Sequence, residues 1–257
     1  VIFKVHNAGL GTDPEELQAK TGIPVVVVEY GNLGANRAAF YATLRLMGEV
    51  LGLQPRAEAV VAFFETRIAD LQARVKDVPD AARPSVFVGG IASRGPHGFQ
   101  STEPEYPPFA FVQARNLAAG EKGSQGAQGA GGVVEVAKEQ IVAWNPDVLF
   151  LDLSTLQLGD AAGGLHELKT DPAYQTLTAV QQGRVYGVLP YNWYNQNFGS
   201  ILANAYFIGS LLYPDRFADV DPAEEADAIY TFLVDKPVFA DMNALFGNRA
   251  FIPIPLR

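Results

Sequence analysis

The chain has 257 residues, 48% of them hydrophobic and 18% charged, enough to bury a sizeable core in one large or two small domains. Its net charge of −9 argues against nucleic acid or an anionic lipid surface as the main partner, since both reward clustered Lys and Arg. With no cysteine it forms no disulfide, zinc-thiolate site or cysteine nucleophile, and no apolar run approaches the roughly 20 residues of a membrane-spanning helix.

Residues 1–5 read as a strand that opens without Met, so the sequence is expected to be processed or truncated. Asp13-Pro14-Glu15-Glu16 supplies an N-cap, a proline and two acids for the first turn of a short helix. Gly22-Ile23-Pro24 then leads into VVVVEY, the continuous β-branched run of a parallel strand covered on both faces. Over 36–78, apolar residues recur at helical spacing: Phe40, Leu44, Met47 and Leu51, then Val60, Phe63, Phe64, Ile68, Leu71 and Val75. Gly52 and Pro55 interrupt this run, which predicts two helices, the second long. After the prolines of 79–84, SVFVGG begins a new sheet. A helix is expected over 133–144, then strand VLFLDL, a short helix over 174–180 and a last strand in RVYGVLPY; helices over 199–212 and 224–232 close the chain. Alternating strands and helices predict doubly wound α/β folding.

Self-comparison divides this series. VLFLDLST, a polar loop and DPAYQTLTAVQQGRVYGVLPYN match VIFKVHNAG, a polar loop and DPEELQAKTGIPVVVVEYGN in the order strand, loop, Asp-Pro helix start, glycine turn, strand. The chain therefore reads as two similar lobes: 1–54 as the remainder of the first, 55–78 as a connecting helix and 79–257 as the second. KEQIVAWNPD precedes the second unit, and its counterpart is expected upstream of Val1.

These motifs, with PSVFVGG, HGFQSTEPEYPPF and GRVYGVLPYNWYNQNFGSILANAYFIGSLLYP, resemble the periplasmic binding proteins for ferric siderophores, haem and vitamin B12 that feed ABC importers. HGFQSTEPEYPPF and YNWYN are similar to the iron(III)-transport binding proteins among them, and the resemblance covers nearly the whole chain. It implies two doubly wound, Rossmann-like lobes joined by a long helix, of the class III solute-binding type. The first lobe would be incomplete by on the order of a hundred residues. It further implies an extracytoplasmic, monomeric protein whose partners are a small-molecule metal chelate and a permease dimer, reaching the membrane only through that permease or a lost lipid anchor. The transported ligand would be a ferric chelate and no cofactor is implied.

Ligand would sit between the lobes at the carboxyl ends of the parallel strands. The first-lobe wall would include His6, Asn7, Glu29, Tyr30 and Asn32; the second would include Ser93, Arg94 and His97, then Asp152 and Ser154, then Tyr191, Asn192, Trp193, Tyr194 and Asn195. The last cluster packs three aromatic faces and two amides into five residues, which suits a bulky, partly apolar chelate. Glu139 matches the place of the exposed Glu that docks on the permease in this family.

Simpler readings stand beside these. His6, His97 and His166 lack HxxxH or HExxH spacing and read by default as surface or hydrogen-bonded residues, with His97 and His6 only weak metal candidates. Arg94 is either solvated or meets an anionic ligand; Glu139 alone is a first-turn helix acid, and Asp152 an N-cap or turn former. GEKGSQGAQGAGG (120–132) lacks the ending of a phosphate loop and reads as a surface loop. No Gly-x-Ser-x-Gly elbow, paired carboxylate or His-base arrangement supports catalysis. The competing readings are a cobalamin, haem or molybdate-type binder, an α/β enzyme or metallocluster-handling protein, and an inert fragment.

Overall fold

The computed structural model describes residues 1–5, 11–121, 132–193 and 195–256. They form two compact units, Val1–Thr66 and Arg67–Arg257.

In the first unit β1 (Ile2–Val5) runs parallel to β2 (Val25–Val28), with Ile2 opposite Val25 and Val5 opposite Val28. Between them, α1 (Pro14–Thr21) starts as its sequence demands. The Asp13 carboxylate accepts from Glu15 N and Glu16 N at 2.9 and 3.1 Å, and Gly22 ends the helix in the left-handed region. α2 (Arg37–Leu51) and the start of α3 (Gln54–Val75) then pack as a helical hairpin. Gly48 makes the close approach possible, because a Cβ there would lie 2.5 Å from Ala57 Cβ. The Phe40 and Phe64 rings meet edge-on at 5.6 Å, and Arg45 clasps Glu58 with two bonds of 2.8 and 3.1 Å.

The second unit contains β3 (Ser85–Gly89), β4 (Ser101–Thr102), α4 (Pro107–Phe111), β5 (Arg115–Asn116), β6 (Val134–Glu135), α5 (Lys138–Trp144), β7 (Val148–Asp152), α6 (Gly163–Thr170), α7 (Thr178–Gln181), β8 (Val185–Val188), α8 (Phe198–Leu212), α9 (Pro222–Val234) and α10 (Phe239–Leu245). Its main sheet is parallel, in the order β5-β3-β7-β8. β3 and β7 are buried throughout, which is why SVFVG and VLFLD are apolar runs rather than alternating ones. The Asp147 carboxylate starts them together by accepting from Ser85 N at 2.8 Å and Ser85 Oγ at 2.6 Å. Above this sheet Phe109, Phe150 and Phe207 form a chain of ring contacts at 5.4 and 6.4 Å. α8 is apolar almost all round and correspondingly buried from Gly199 to Gly209.

Several elements depart from the expectations. The helix expected over 133–144 begins only at Lys138, because Val134–Glu135 pairs antiparallel with Ser101–Thr102. α6 and α10 were not expected at all. α6 starts at a glycine pair with no local cap; Gly164 N instead donates 2.6 Å to Thr155 Oγ1, a partner nine residues away. The helix expected to stand between the lobes is divided between the units. Its last turns belong to the second because Arg67 pairs with Glu225 at 2.7 Å, Tyr206 Oη donates to Asp70 at 2.9 Å and Arg74 holds Asp219 at 2.6 Å.

Gly209 lies inside α8 where a Cβ would approach the Phe217 ring to 2.4 Å. Gly209→Ala gains helix propensity of up to about 1 kcal/mol but overpacks this contact by about 1–3 kcal/mol. Denaturant unfolding should therefore show a lower midpoint for the variant at an unchanged slope.

Candidate functional site at the carboxyl edge of the second sheet

Because β3, β7 and β8 are parallel neighbours, the loops that leave them emerge at one edge. The loop after β3 carries Arg94, an exposed residue in the left-handed region at φ 59°, where L side chains are disfavoured. Its amide donates to Trp193 O at 3.3 Å, joining the loop after β3 to the loop after β8. His97, half-buried, lies with Nε2 3.0 Å from Ser93 O and Nδ1 3.5 Å from Glu135. After β7, Asp152 caps the following turn by accepting from Ser154 N at 2.9 Å. Ser154 Oγ donates to Gly90 O at 3.2 Å and Thr155 Oγ1 to His97 O at 2.6 Å. The three loops are thus tied to one another by side-chain and backbone bonds.

The turn after β8 is also closed on itself. Asn192 bridges to Gln196, Trp193 N donates to Asn195 O at 3.4 Å and Asn197 N to Tyr191 O at 2.8 Å. Trp193 is half-buried and Asn195 exposed, whereas Tyr191 and Asn192 are only 2% and 4% exposed. Tyr191 is an interior anchor rather than a presented ring: its hydroxyl donates to the Glu103 carboxyl, and its ring lies 5.7 Å from that of Tyr106. Asp152 and Ser154 are likewise fully buried, so they brace the edge from within. Tyr30, half-buried after β2, belongs to the first unit; Gly31 beside it, at φ 64°, has no room for a Cβ against Phe40. His6, Asn7, Tyr194 and residues 122–131 lie outside the described residues.

The edge rests on buried polar groups that sequence reasoning missed: Glu103, Tyr106 and Asn204. The signals were present as an acid beside Ser-Thr in STEPEYPP and an amide inside the apolar helix ILANAYFIG. Burial pushes the Glu103 carboxyl up to about 8; the Tyr191 bond opposes this, and the neighbouring Asp152 and Glu105 carboxyls add to it. Burial likewise raises Asp152 to about 7 against the pull of Ser154. Asp152 Oδ2 is buried with no hydrogen-bond partner. Inside the protein the two carboxyls brace the loops, Glu103 through the Tyr191 hydroxyl and Asp152 through Ser154 N.

Elsewhere on the second unit, Glu139 is exposed in the first turn of α5. It shares the field around Tyr174 with Glu135, Glu167 and Asp171, and Lys138 pairs with Asp171 at 2.7 Å. Glu135, Lys138, Glu167, Asp171 and Tyr174 line an open hollow of about 370 Å³. Among the described residues no group of three or more His, Asp or Glu could hold a metal ion, and no helix is long and apolar enough to cross a membrane.

Paired α/β units with parallel sheets whose strand ends gather polar and aromatic loops define the class III solute-binding fold. The chain belongs to the periplasmic binding protein family, whose sequence model matches residues 1–191. Among solved structures it is similar to an ABC transporter solute-binding protein from Sulfurospirillum deleyianum, with 21% identity, a TM-score of 0.65, and coverage of 96% of this chain and 72% of that one. It is also similar to a periplasmic solute-binding protein from Veillonella parvula, with 20% identity, a TM-score of 0.61, and coverage of 88% and 64%. A third is the molybdate periplasmic binding protein MolA of Haemophilus influenzae, bound to molybdate, with 19% identity, a TM-score of 0.61, and coverage of 85% and 67%. The chain therefore spans 64% to 72% of the length of these structures. No curated protein sequence matches it.

Glu103 and Asp152 both titrate higher in the folded chain than unfolded, so the fold binds more protons between about pH 4 and pH 8 and loses stability as pH rises through that window. Denaturant midpoints measured across this range should fall with pH. Asp152→Asn, which keeps an acceptor for Ser154 N, should flatten the fall.

Proposed function

We propose that the chain is the substrate-binding component of an ABC importer, capturing a ferric chelate of siderophore type at the carboxyl edges of its parallel strands and delivering it to the permease. The observation that carries this reading is the hydrogen bond from Arg94 N to Trp193 O, which joins at one edge the two loops that carry an exposed arginine and a half-buried tryptophan. A cation and an aromatic face suit an anionic chelate with an apolar periphery. The role proposed is binding rather than catalysis; the buried acids brace the edge, Glu103 through Tyr191 and Asp152 as the cap of its own turn. Membership of the periplasmic binding protein family supports an extracytoplasmic, monomeric working state.

A second reading is an oxyanion of the molybdate type, favoured by Arg94 and by the fold likeness to a protein solved with molybdate. A small bare anion would draw on Arg94 and backbone amides and leave Trp193 idle. Haem and corrinoids are further variants of the first reading. Thermal-shift measurements against ferric hydroxamates, ferric catecholates, haem, cobalamin, molybdate and free Fe(III) separate these. At a hundredfold excess over Kd, a bound ligand stabilises by about 2.7 kcal/mol, a shift of several degrees. The expected result is a shift with a ferric chelate that Trp193→Ala abolishes. A shift with molybdate alone, kept in Trp193→Ala and lost in Arg94→Ala, would move the assignment to the oxyanion.

Permease docking is assigned to Glu139, backed by the carboxylates of Glu135, Glu167 and Asp171, as a face for arginines of the permease. Glu139→Arg should leave the ligand-induced thermal shift intact. It should reduce ligand-stimulated ATP hydrolysis by the reconstituted transporter by about tenfold, the scale of one lost charge-assisted contact.

A further inference from the structure

Glu103 is an expensive residue where it stands. It is 4% exposed, and the groups that face it are Tyr191, Tyr106, Asp152 and Glu105, none of them a cation. Burying a carboxyl beside a second buried carboxyl opposes folding, and an apolar side chain of similar volume would serve stability better. Its backbone is fixed independently of the loop it meets. Asn116 Nδ2, on β5, donates to Glu103 O at 3.1 Å and Pro104 O at 2.9 Å, and Tyr106 N donates to Glu103 O at 3.2 Å. From that fixed base the carboxyl accepts the hydroxyl of Tyr191, the first residue of the turn that carries Trp193. Tyr191 O in turn accepts from Asn197 N at 2.8 Å, closing the turn's far end. Hydrogen bonds therefore link the edge strand to the Glu103 backbone and the Glu103 carboxyl to Tyr191; the chain itself leads from Tyr191 to Trp193, whose carbonyl accepts from Arg94 N.

We propose that Glu103 is the positioning residue of the turn that begins at Tyr191, holding Tyr191 from inside so that the Trp193 carbonyl meets the Arg94 amide at the carboxyl edge. This rests on the binding role proposed above for that edge, but its geometry can be tested without any ligand. Glu103 is not presented to a ligand itself, since it is buried and one carboxyl oxygen accepts from Tyr191. It acts through the turn.

The experiment uses the two tryptophans of the chain. In a Trp144→Phe background Trp193 is the single reporter, and acrylamide quenching of its fluorescence reads how tightly the turn is held. Tyr191→Phe keeps the ring and removes only the hydroxyl, Glu103→Ala removes the acceptor, and Glu103→Gln retains one. Tyr174→Phe serves as the control, deleting a buried hydroxyl away from the turn. The expected result is severalfold faster quenching in Tyr191→Phe and Glu103→Ala, near-native quenching in Glu103→Gln, and no change in Tyr174→Phe. Should Glu103→Ala fail to fold, the contrast between Tyr191→Phe and Glu103→Gln decides. Native quenching in Tyr191→Phe, or equal loosening in Tyr174→Phe, overturns the assignment. Titration of the same variants with a ferric hydroxamate should show about tenfold weaker binding for Tyr191→Phe, the scale of one buried hydrogen bond. A flat titration for every variant, with the quenching pattern intact, would defeat the proposed cargo and leave the positioning role standing.

Discussion

The amide of Asn204 spends both of its hydrogen-bonding functions on one residue. Its Oδ1 accepts from Leu189 N at 2.9 Å and its Nδ2 donates to Leu189 O at 2.8 Å, inside the apolar helix α8. These bonds satisfy the backbone just past β8, where the ladder with β7 has ended and where unpaired buried amides would be costly. They also fix the point from which the 191–197 turn departs. Nδ2 lies 3.3 Å from Tyr106 Oη, so the same amide reaches the layer that holds Glu103 and Tyr191. The position of Trp193 is thus set by a helix behind the sheet as much as by the turn itself.

Much of the fold was legible because buried parallel strands leave a blunt signal. SVFVG and VLFLD are mostly apolar and buried along their length, whereas VVVV is a strand with Val27 exposed rather than one covered on both faces; the apolar spacing of 36–78 marks α2 and α3 down to the Gly52 break. What escaped depended on partners distant in sequence. α6 draws its first hydrogen bond from Thr155, and the two-residue pairing of β4 with β6 has no periodicity to detect. The candidate site was legible in location but not in orientation. Strand ends named loops that the structure gathers at one edge, whereas the inward turn of Tyr191 follows from Glu103, eighty-eight positions earlier in the chain.

The second unit separates two kinds of surface by charge and by support. The carboxyl edge presents Arg94, Trp193 and Asn195 above acids held protonated by burial. The region around α5 presents acids near solvent, among them Asp171, whose carboxyl the bonded Lys138 holds below the usual carboxylate range. Carboxyls thus serve opposite ends according to depth, as interior hydrogen-bonding struts at one place and as a charged face at the other.

Arg94 sits in a backbone conformation that favours glycine, at a cost of about 1–2 kcal/mol for a residue with a Cβ. Selection for thermal endurance alone would drift towards glycine there, since the backbone bond to Trp193 O needs no side chain. Under the binding role proposed for this edge, a guanidinium is kept there against that cost. Among related chains the residue at this one turn would separate those that keep the cation from those that have traded it for stability.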